Sequence, residues 1–583
     1  MEGGEELRRL IRLHALRNAA RHGSASASAV MGKLMAERPE LRPRARELLA
    51  LVEEVVREVN AMPEEQRGRE LLGLEGPPRP RREELRRLPP LPGAEAVAQV
   101  VTRFAPNPDS VLHLGSARAV VLNKAYAEMY GGRFLLRFED TDPRLKRARA
   151  DFYAYILEDL RWLGCEPDEV YYQSDRLELY YGVAEELLRR GGAYVCTHGA
   201  EEARALLLAG KACACRDLEP SLQLERWQAM LDGRYGEGEA VVRVKTDLAH
   251  PNPAIRDWPA LRIIDPRRHP HPRVGSRYRV WPLYNFSAGC DDWLMKVTHI
   301  IRGKEHLTNM ERQLYLYRHM GWRYPIALHY GRLMLQGSTL SKSQIERGVR
   351  EGRYEGYEDP RLATLRALRR RGFLPEAIRE LMLEVGVKPV EARVSLEKLC
   401  ALQRRLADPL ANRYFALEEP VELKLRGAEG RLEAQLRLHP SDPSRGLRRL
   451  VVEPEQGHHR LLLEGRDAEL LLEKGYARLM GLLNVASPRK VREGVYEARV
   501  AEGGVEEARG RGAPFLHWLP PSQARPMSLL RPLGEGSWAW REGLVEEHLL
   551  REKEGALVQL ERLCFARVDG LGEAARLCYT CGI

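Results

Sequence analysis

Long apolar runs are missing from this sequence: among its 583 residues there is no stretch of about 18 consecutive apolar side chains, the length needed to cross a bilayer. The opening residues, MEGGEELRR, put acids where a secretory signal would have a basic segment and then an apolar one. The expectation is a cytoplasmic protein with no membrane partner. Cysteine is sparse. Nine cysteines, an odd number scattered over the chain, exclude a disulfide framework as the basis of the fold. Neither a GxxxxGK[ST] loop nor a GxGxxG fingerprint occurs, which argues against a P-loop ATPase or a dinucleotide oxidoreductase. Lysine is heavily outnumbered by arginine, as in thermophilic or GC-rich sources.

What is present is length and positive charge. At roughly 100 to 200 residues per domain the chain makes three to five domains. The net charge of +10 and pI near 9.1 fit an acidic partner or simply a mildly basic surface, and point to nucleic acid only together with motifs.

The most informative stretch is Val97 to Asp142. A β-branched run ends in a Pro-rich loop, an apolar-periodic helix starts near Leu114, and a second strand, Arg133 to Phe138, ends in Glu139-Asp140. This crossover implies a parallel sheet with its ligands beyond the carboxyl ends of the strands. His113-Leu114-Gly115-Ser116 falls where loop becomes helix, so that Gly115 lets an anion approach backbone N–H groups and the helix dipole. Alone, that tetrapeptide is equally an ordinary turn. Far downstream, Thr339-Leu340-Ser341-Lys342-Ser343 places a lysine in a Gly- and Ser-rich loop, suited to neutralising a triphosphate as charge develops.

Together these two stretches resemble the paired HIGH and KMSKS signatures of class I aminoacyl-tRNA synthetases. RFAPNPD (Arg103 to Asp109), LRFEDTD (Leu136 to Asp142), YNF (Tyr284 to Phe286), VTHIIRGKEHL (Val297 to Leu307) and GYEDPRLATLRALRRRG (Gly356 to Gly372) resemble the archaeal type of glutamyl-tRNA synthetase. The resemblance implies ATP-dependent attachment of L-glutamate to tRNA through a glutamyl-adenylate, with release of AMP and pyrophosphate. It also implies a multidomain α/β plus β architecture. Residues 1–95 would be a helical N-terminal extension and linker, and 96–345 a Rossmann-like catalytic domain with an acceptor-stem-binding domain inserted at about 191–280. Residues 346–406 would be a helical stem-contact domain and 407–583 an anticodon-binding β-barrel region. The competing readings are a glutaminyl-tRNA synthetase, a small-molecule nucleotidylyltransferase with a similar His-x-Gly-His turn, and a tRNA-binding scaffold without activity.

Along the chain, Leu7, Leu10 and Ile11, then Leu48, Val52, Val55 and Val59, recur at helical spacing and read as core. These helices either dock a protein partner or are structural only. Leu74 to Gly93, rich in Pro and Arg, reads as a linker. A helix is expected near Asp151 to Leu163, and strands at Val170 to Gln173 and Ile326 to Leu335. Cys196-x-His198 and Cys213-x-Cys215 are two close pairs of soft ligands, a donor set for structural zinc, although one-residue spacing is tighter than the usual knuckle. The alternative is free thiols beside a surface histidine. From Gly356 to about Leu406 the chain reads as helical, with Asp359 capping and Pro360 in the first turn, and Arg369, Arg370 and Arg371 as phosphate contacts or, alternatively, a solvated face. After Asp408-Pro409, short evenly spaced runs read as β-barrels, and Cys578 and Cys581 as structural or incidental thiols rather than a metal pair.

The resemblance assigns site roles residue by residue. ATP would meet His113, Gly115, Ser116, Arg332, Leu333 and Lys342, with His113 and Lys342 catalytic and Mg²⁺ accompanying the nucleotide. Ser116 departs from the family signature, which ends in histidine, and cannot supply an imidazolium. Glutamate would meet Arg103 and Tyr284 at its side chain, Glu139 at its ammonium, Arg302 at its α-carboxylate, and Ala105. Ala288, four residues after Tyr284, stands where glutaminyl relatives carry histidine, which favours glutamate. The tRNA partner would be glutamate-accepting, with glutamine-accepting tRNA as the second candidate.

Overall fold

The computed structural model describes residues 2–22, 24–63, 66–67, 70–71, 88–336, 342–534 and 537–583. Residues Met1–Pro80 with Arg161–Gly164 form one compact unit and the rest of the chain another. In the first, helices Glu2–His22, Ala27–Glu37 and Ala45–Ala61 bury Ile11, Leu16, Leu34, Val52, Val55 and Val59, while Arg12 reaches Glu58 at 2.6 Å. No described helix is long and apolar enough to cross a membrane.

The expected linker falls largely on 72–87, outside the described residues. Its last part is not a linker. Leu88 and Leu91 are buried, the Leu91 N–H donates to the Tyr130 hydroxyl at 2.8 Å, and the Tyr126 hydroxyl donates to the Pro89 carbonyl at 3.2 Å. Residues 88–91 instead pack their apolar side chains against the end of helix Leu114–Met129.

Strands Val101–Phe104, Arg133–Phe138 and Glu169–Tyr172 form a parallel sheet in that order, with helix Leu114–Met129 crossing between the first two. Strands His299–Gly303 and Ile326–Tyr330 form a second parallel pair. Thr298 joins the two: its N–H donates to the Val101 carbonyl at 3.0 Å and its hydroxyl accepts the Val101 N–H at 2.8 Å. Near-continuous burial of these strands is the signature of a sheet covered on both faces. The expected strand Ile326 to Leu335 is broken in two. A Cβ at Gly331 would collide with the Val390 backbone, and there the chain turns so that Leu333–Gln336 pairs in parallel with Ala392–Ser395.

Between the two halves, strands Ala193–Cys196, Val241–Val244, Pro259–Ile263 and Val280–Pro282 make an antiparallel sheet over Trp227, Trp258 and Trp281. The last of these strands delivers the chain into helix Tyr284–Leu294.

The segment after Gly356 corrects two expectations. Asp359 does not cap a helix; it accepts the Arg361 N–H two residues on at 3.0 Å and pairs with the Arg361 side chain. The cap is Thr364, whose hydroxyl takes the Ala367 N–H at 3.0 Å and starts helix Leu365–Arg370. Nor are all three arginines available to phosphate. Arg371 is buried and donates to the Thr580 carbonyl at 3.0 Å, and Arg370 pairs with Asp569 at 2.7 Å. Arg371 thus holds the terminal strand Ala575–Gly582 and Arg370 the strand before it, Cys564–Leu571, and only Arg369 is exposed.

The C-terminal region holds two seven-stranded sheets. In one, the consecutive pieces Asn412–Tyr414 and Ala416–Leu417 pair with opposite ends, against Leu557–Leu560 and Ser537–Glu546, so the sheet curls until its edges meet at Phe415. In the other, Leu519, just past the last strand Phe515–Leu516, bridges to Leu462 in the strand second from the far end.

Candidate active site

The strand ends and the N-terminus of helix Leu114–Met129 surround a cavity of about 500 Å³ lined by Asn107, Asp109, His113, Gly115, Ser116, Arg118, Tyr330, Arg332 and Leu333. His113 is the N-cap: its Nδ1 accepts the Ser116 N–H at 3.3 Å. The ring is open to solvent on one side, and partial desolvation by the cavity walls lowers its pKa; with Nδ1 accepting, the neutral ring carries its proton on Nε2, a donor at the mouth of a helix whose dipole favours anions. The turn is clamped from outside. Leu114 N–H donates to the Ala363 carbonyl at 3.1 Å and Leu365 N–H to the Leu112 carbonyl at 2.9 Å. Buried Arg118 donates to the carbonyls of Gly331 at 2.7 Å and Gly386 at 2.8 Å, fixing the wall that carries Arg332 and Leu333. Thr339, Leu340 and Ser341 lie outside the described residues. Of Lys342 only the backbone is described, as the first residue of helix Lys342–Arg350.

A second cavity, of about 580 Å³, shares Asn107 with the first and is lined by Glu139, Thr141, Asp142, Lys146, Gln173, Tyr284, Asn285, His306, Asn309 and Arg312. Glu139 follows strand Arg133–Phe138, and Tyr284 opens helix Tyr284–Leu294. The Tyr284 hydroxyl lies 3.1 Å from His306 Nδ1, which also accepts from Asn309 Nδ2 at 3.1 Å. Burial and the nearby Arg302 guanidinium bring His306 down to about 4, so it too is neutral with its donor on Nε2. Arg302 is buried, bonded to Gln313 Oε1 at 3.3 Å and the Tyr324 hydroxyl at 3.2 Å. Its Nη1 has no hydrogen-bond partner among the described residues, an unmet donor that an anion would satisfy. Of the residues expected to meet glutamate, only Glu139 and Tyr284 line this cavity; Arg103, Arg302 and half-buried Ala105 line neither, and Ala288 is fully buried one turn beyond Tyr284.

Arg103 is only 4% exposed, and its partner is Asp292: Nε donates to Oδ1 at 3.0 Å. Arg137 donates from Nη1 to the same oxygen at 2.7 Å and from Nη2 to Glu139 Oε1 at 3.0 Å. Burial alone would raise the Asp292 carboxyl, but the two guanidinium groups outweigh it and hold the pKa at about 2. Burial raises Glu139 even against Arg137. Sequence reasoning missed Asp292, Arg137 and His306. The available signals were adjacent acids, Asp291 and Asp292, in an otherwise weakly polar helix, and an arginine at the middle of the apolar strand LRF.

Away from the clefts, Cys196, His198, Cys213 and Cys215 bring one donor atom each to within 4.8 Å of one another. Tetrahedral zinc puts thiolate sulfurs about 3.8 Å apart and sulfur and nitrogen about 3.6 Å apart. The observed separations are 3.9 Å for Cys196–Cys213, and 3.7 and 3.5 Å from His198 Nδ1 to Cys196 and Cys215. Strand Ala193–Cys196 and the turn before helix Pro220–Leu231 set the four in place. The Arg226 guanidinium, 3.2 Å from the Cys215 sulfur, favours its thiolate. The donor set fits zinc.

Residues 99–405 match the family model described as tRNA synthetases class I (E and Q), catalytic domain, and residues 411–501 match that of the same synthetases' anti-codon binding domain. A glutamate–tRNA ligase of Pyrococcus furiosus is 49% identical over 571 residues, covering 97% of this chain and 97% of that one. One from Methanopyrus kandleri is 49% identical over 570 residues at the same coverage, and one from Aeropyrum pernix 44% identical over 99% of this chain and all of its own. With both models matched in order and relatives aligned from end to end, the chain belongs to the class I (E and Q) tRNA synthetases.

Proposed function

We propose that the chain is a glutamate–tRNA ligase, which joins L-glutamate to the α-phosphate of ATP, expels pyrophosphate, and transfers the glutamyl group to the terminal ribose hydroxyl of tRNA. The observation that carries the choice of amino acid is the buried charge set. Arg103, Arg137 and Arg302 stand against Asp292 and Glu139, leaving one positive charge in a site with little access to water. Glutamate brings a net charge of about −1 and glutamine none, and an uncompensated buried charge is costly. Arg103 offers only donors, which suits a carboxylate and conflicts with the NH₂ of an amide. Arg302, with its unmet Nη1 donor, takes the α-carboxylate, Glu139 the ammonium, and Tyr284 reaches the side chain once its hydroxyl rotates from His306.

Acyl–phosphate formation then asks of the protein positioning and charge stabilisation rather than covalent catalysis. The cavity at the helix N-terminus takes the phosphates. His113 Nε2–H donates to them, and Gly115 leaves the backbone open. Lys342 neutralises the departing pyrophosphate, and Arg332 and Leu333 flank the adenosine. Magnesium comes with the nucleotide, and the described residues gather no carboxylate cluster able to hold it alone. Because the two cavities adjoin at Asn107, the α-carboxylate and the α-phosphate meet at their boundary. Structural zinc at Cys196, His198, Cys213 and Cys215 braces the inserted domain that receives the acceptor stem. The two curled C-terminal sheets act as anticodon-reading barrels.

The test is ATP–pyrophosphate exchange with purified tRNA present, glutamate and glutamine being supplied separately. Exchange dependent on glutamate is expected. Comparable or better exchange with glutamine would make the chain a glutaminyl enzyme, and none with either would leave a tRNA-binding scaffold.

A further inference from the structure

Asp292 lies two turns beyond Tyr284 on helix Tyr284–Leu294, is 1% exposed, and lines neither cavity. It accepts Arg103 Nε at 3.0 Å and Arg137 Nη1 at 2.7 Å on one oxygen, with Arg103 Nη2 3.5 Å from the other. Arg137 continues to Glu139 at 3.0 Å. One carboxylate thus connects the two groups assigned to opposite ends of the amino acid. Its neighbour Asp291, turned about 100° round the helix, does something else: it takes Arg176 Nε at 2.8 Å and the Tyr180 hydroxyl at 2.6 Å, bracing the helix Leu177–Arg189.

We propose that Asp292 is the positioning residue for amino-acid recognition: it grips Arg103 by its Nε edge, so that the remaining N–H groups of the guanidinium face the substrate side chain, and it orients Glu139 through Arg137. This rests on the glutamate reading given above. An arginine side chain is long and rotamer-rich, and its fork is selective only when held in one orientation. Asp292 also separates two buried cations that would otherwise repel, so losing it both loosens Arg103 and turns Arg137 away from its present partner. Buried ion pairs are a poor source of net stability, and geometric control is the better account of one placed directly behind a binding site. The arrangement favours a carboxylate side chain specifically, because Asp292 engages one edge of the Arg103 fork and the N–H groups left over can only donate.

The experiment compares Asp292→Asn, Arg103→Gln and the charge-balanced double variant by ATP–pyrophosphate exchange with tRNA present. Asp292→Asn is expected to raise KM for glutamate at least about tenfold and to lower the glutamate-over-glutamine preference, with KM for ATP and tRNA affinity within about twofold of the parent. Asp292→Glu should recover part of the loss. In the double variant, KM for glutamate should exceed that of Arg103→Gln by much less than about tenfold, since Asp292 then has no Arg103 to position and only its hold on Glu139 through Arg137 is lost. That comparison decides the matter even where Asp292→Asn alone fails to fold. A further tenfold loss in the double variant, or an unchanged glutamate KM in folded Asp292→Asn, would overturn the positioning role. An unchanged KM in Arg103→Gln would instead overturn the glutamate reading on which it rests.

Discussion

A Cβ on Gly115 would stand 2.8 Å from Cε1 and 3.0 Å from Nδ1 of His113. The His113 ring therefore occupies the space that a side chain at 115 would need, and it does so while its Nδ1 accepts the Ser116 N–H. Glycine here makes room for the histidine. Ser116, whose side chain departs from the family signature, contributes its backbone N–H to the cap.

Gly115→Ala should therefore displace His113 from its cap and lower the rate of adenylate formation by about one to two decades, of the order seen when a single transition-state donor is misplaced. KM for glutamate should change little, because the amino-acid cavity does not include residue 115. Single-turnover formation of the adenylate, with tRNA present, measures this. An unchanged rate would mean that the helix N-terminus rather than the ring carries the phosphate contact.

The parts of the site legible in the sequence were those with local causes. A strand ending in a Pro-rich loop, a glycine at a helix start and two soft-ligand pairs each announce themselves within a few residues, and the structure places His113, Gly115, Arg332 and Leu333 around one cavity and Glu139 and Tyr284 around another. What was not legible depends on partners far apart in sequence. Arg103 meets Asp292 across 189 residues, and Arg371 meets the Thr580 carbonyl across 209. An arginine in a basic run carries no mark of whether it will face phosphate or be buried against a carbonyl of the terminal strand. The helix cap was misplaced for a similar reason: Asp-Pro reads as a helix start, yet Asp359 closes a turn on Arg361 and leaves the cap to Thr364.

Elemental analysis of the purified protein should find about one zinc per chain, and Cys213→Ser should lose it. Since a structural metal contributes its binding free energy to folding, the variant should also unfold several degrees lower, and chelator should lower the parent in the same way. The adenylation rate should be affected less than the charging of tRNA, because the four ligands lie in the inserted segment and not around either cavity. Zinc content unaltered by the substitution would reject the site.

Asp159 gives a pH dependence with a definite sign. It sits on helix Ala150–Trp162, is 1% exposed, and its Oδ2 has no hydrogen-bond partner among the described residues. Burial pushes its carboxyl up from 3.8 to about 7, against the opposing pull of Arg366 and Arg369. Between those two values the folded protein holds a proton that the unfolded chain has released. The contribution to stability is thus fully present below pH 3.8 and is lost as pH rises through about 7. The amide introduced by Asp159→Asn would stay neutral throughout and so escape the loss. The apparent Tm of Asp159→Asn minus that of the parent should therefore rise from pH 4.5 to pH 8, by several degrees if most of the shift is realised. Thermal unfolding at pH 4.5, 6 and 8 in one ionic strength measures it. A difference that is flat or falls with pH would mean that Arg366 and Arg369 keep the carboxylate ionised, and that the charge of Asp159 serves to hold the helix Leu365–Arg370 in place.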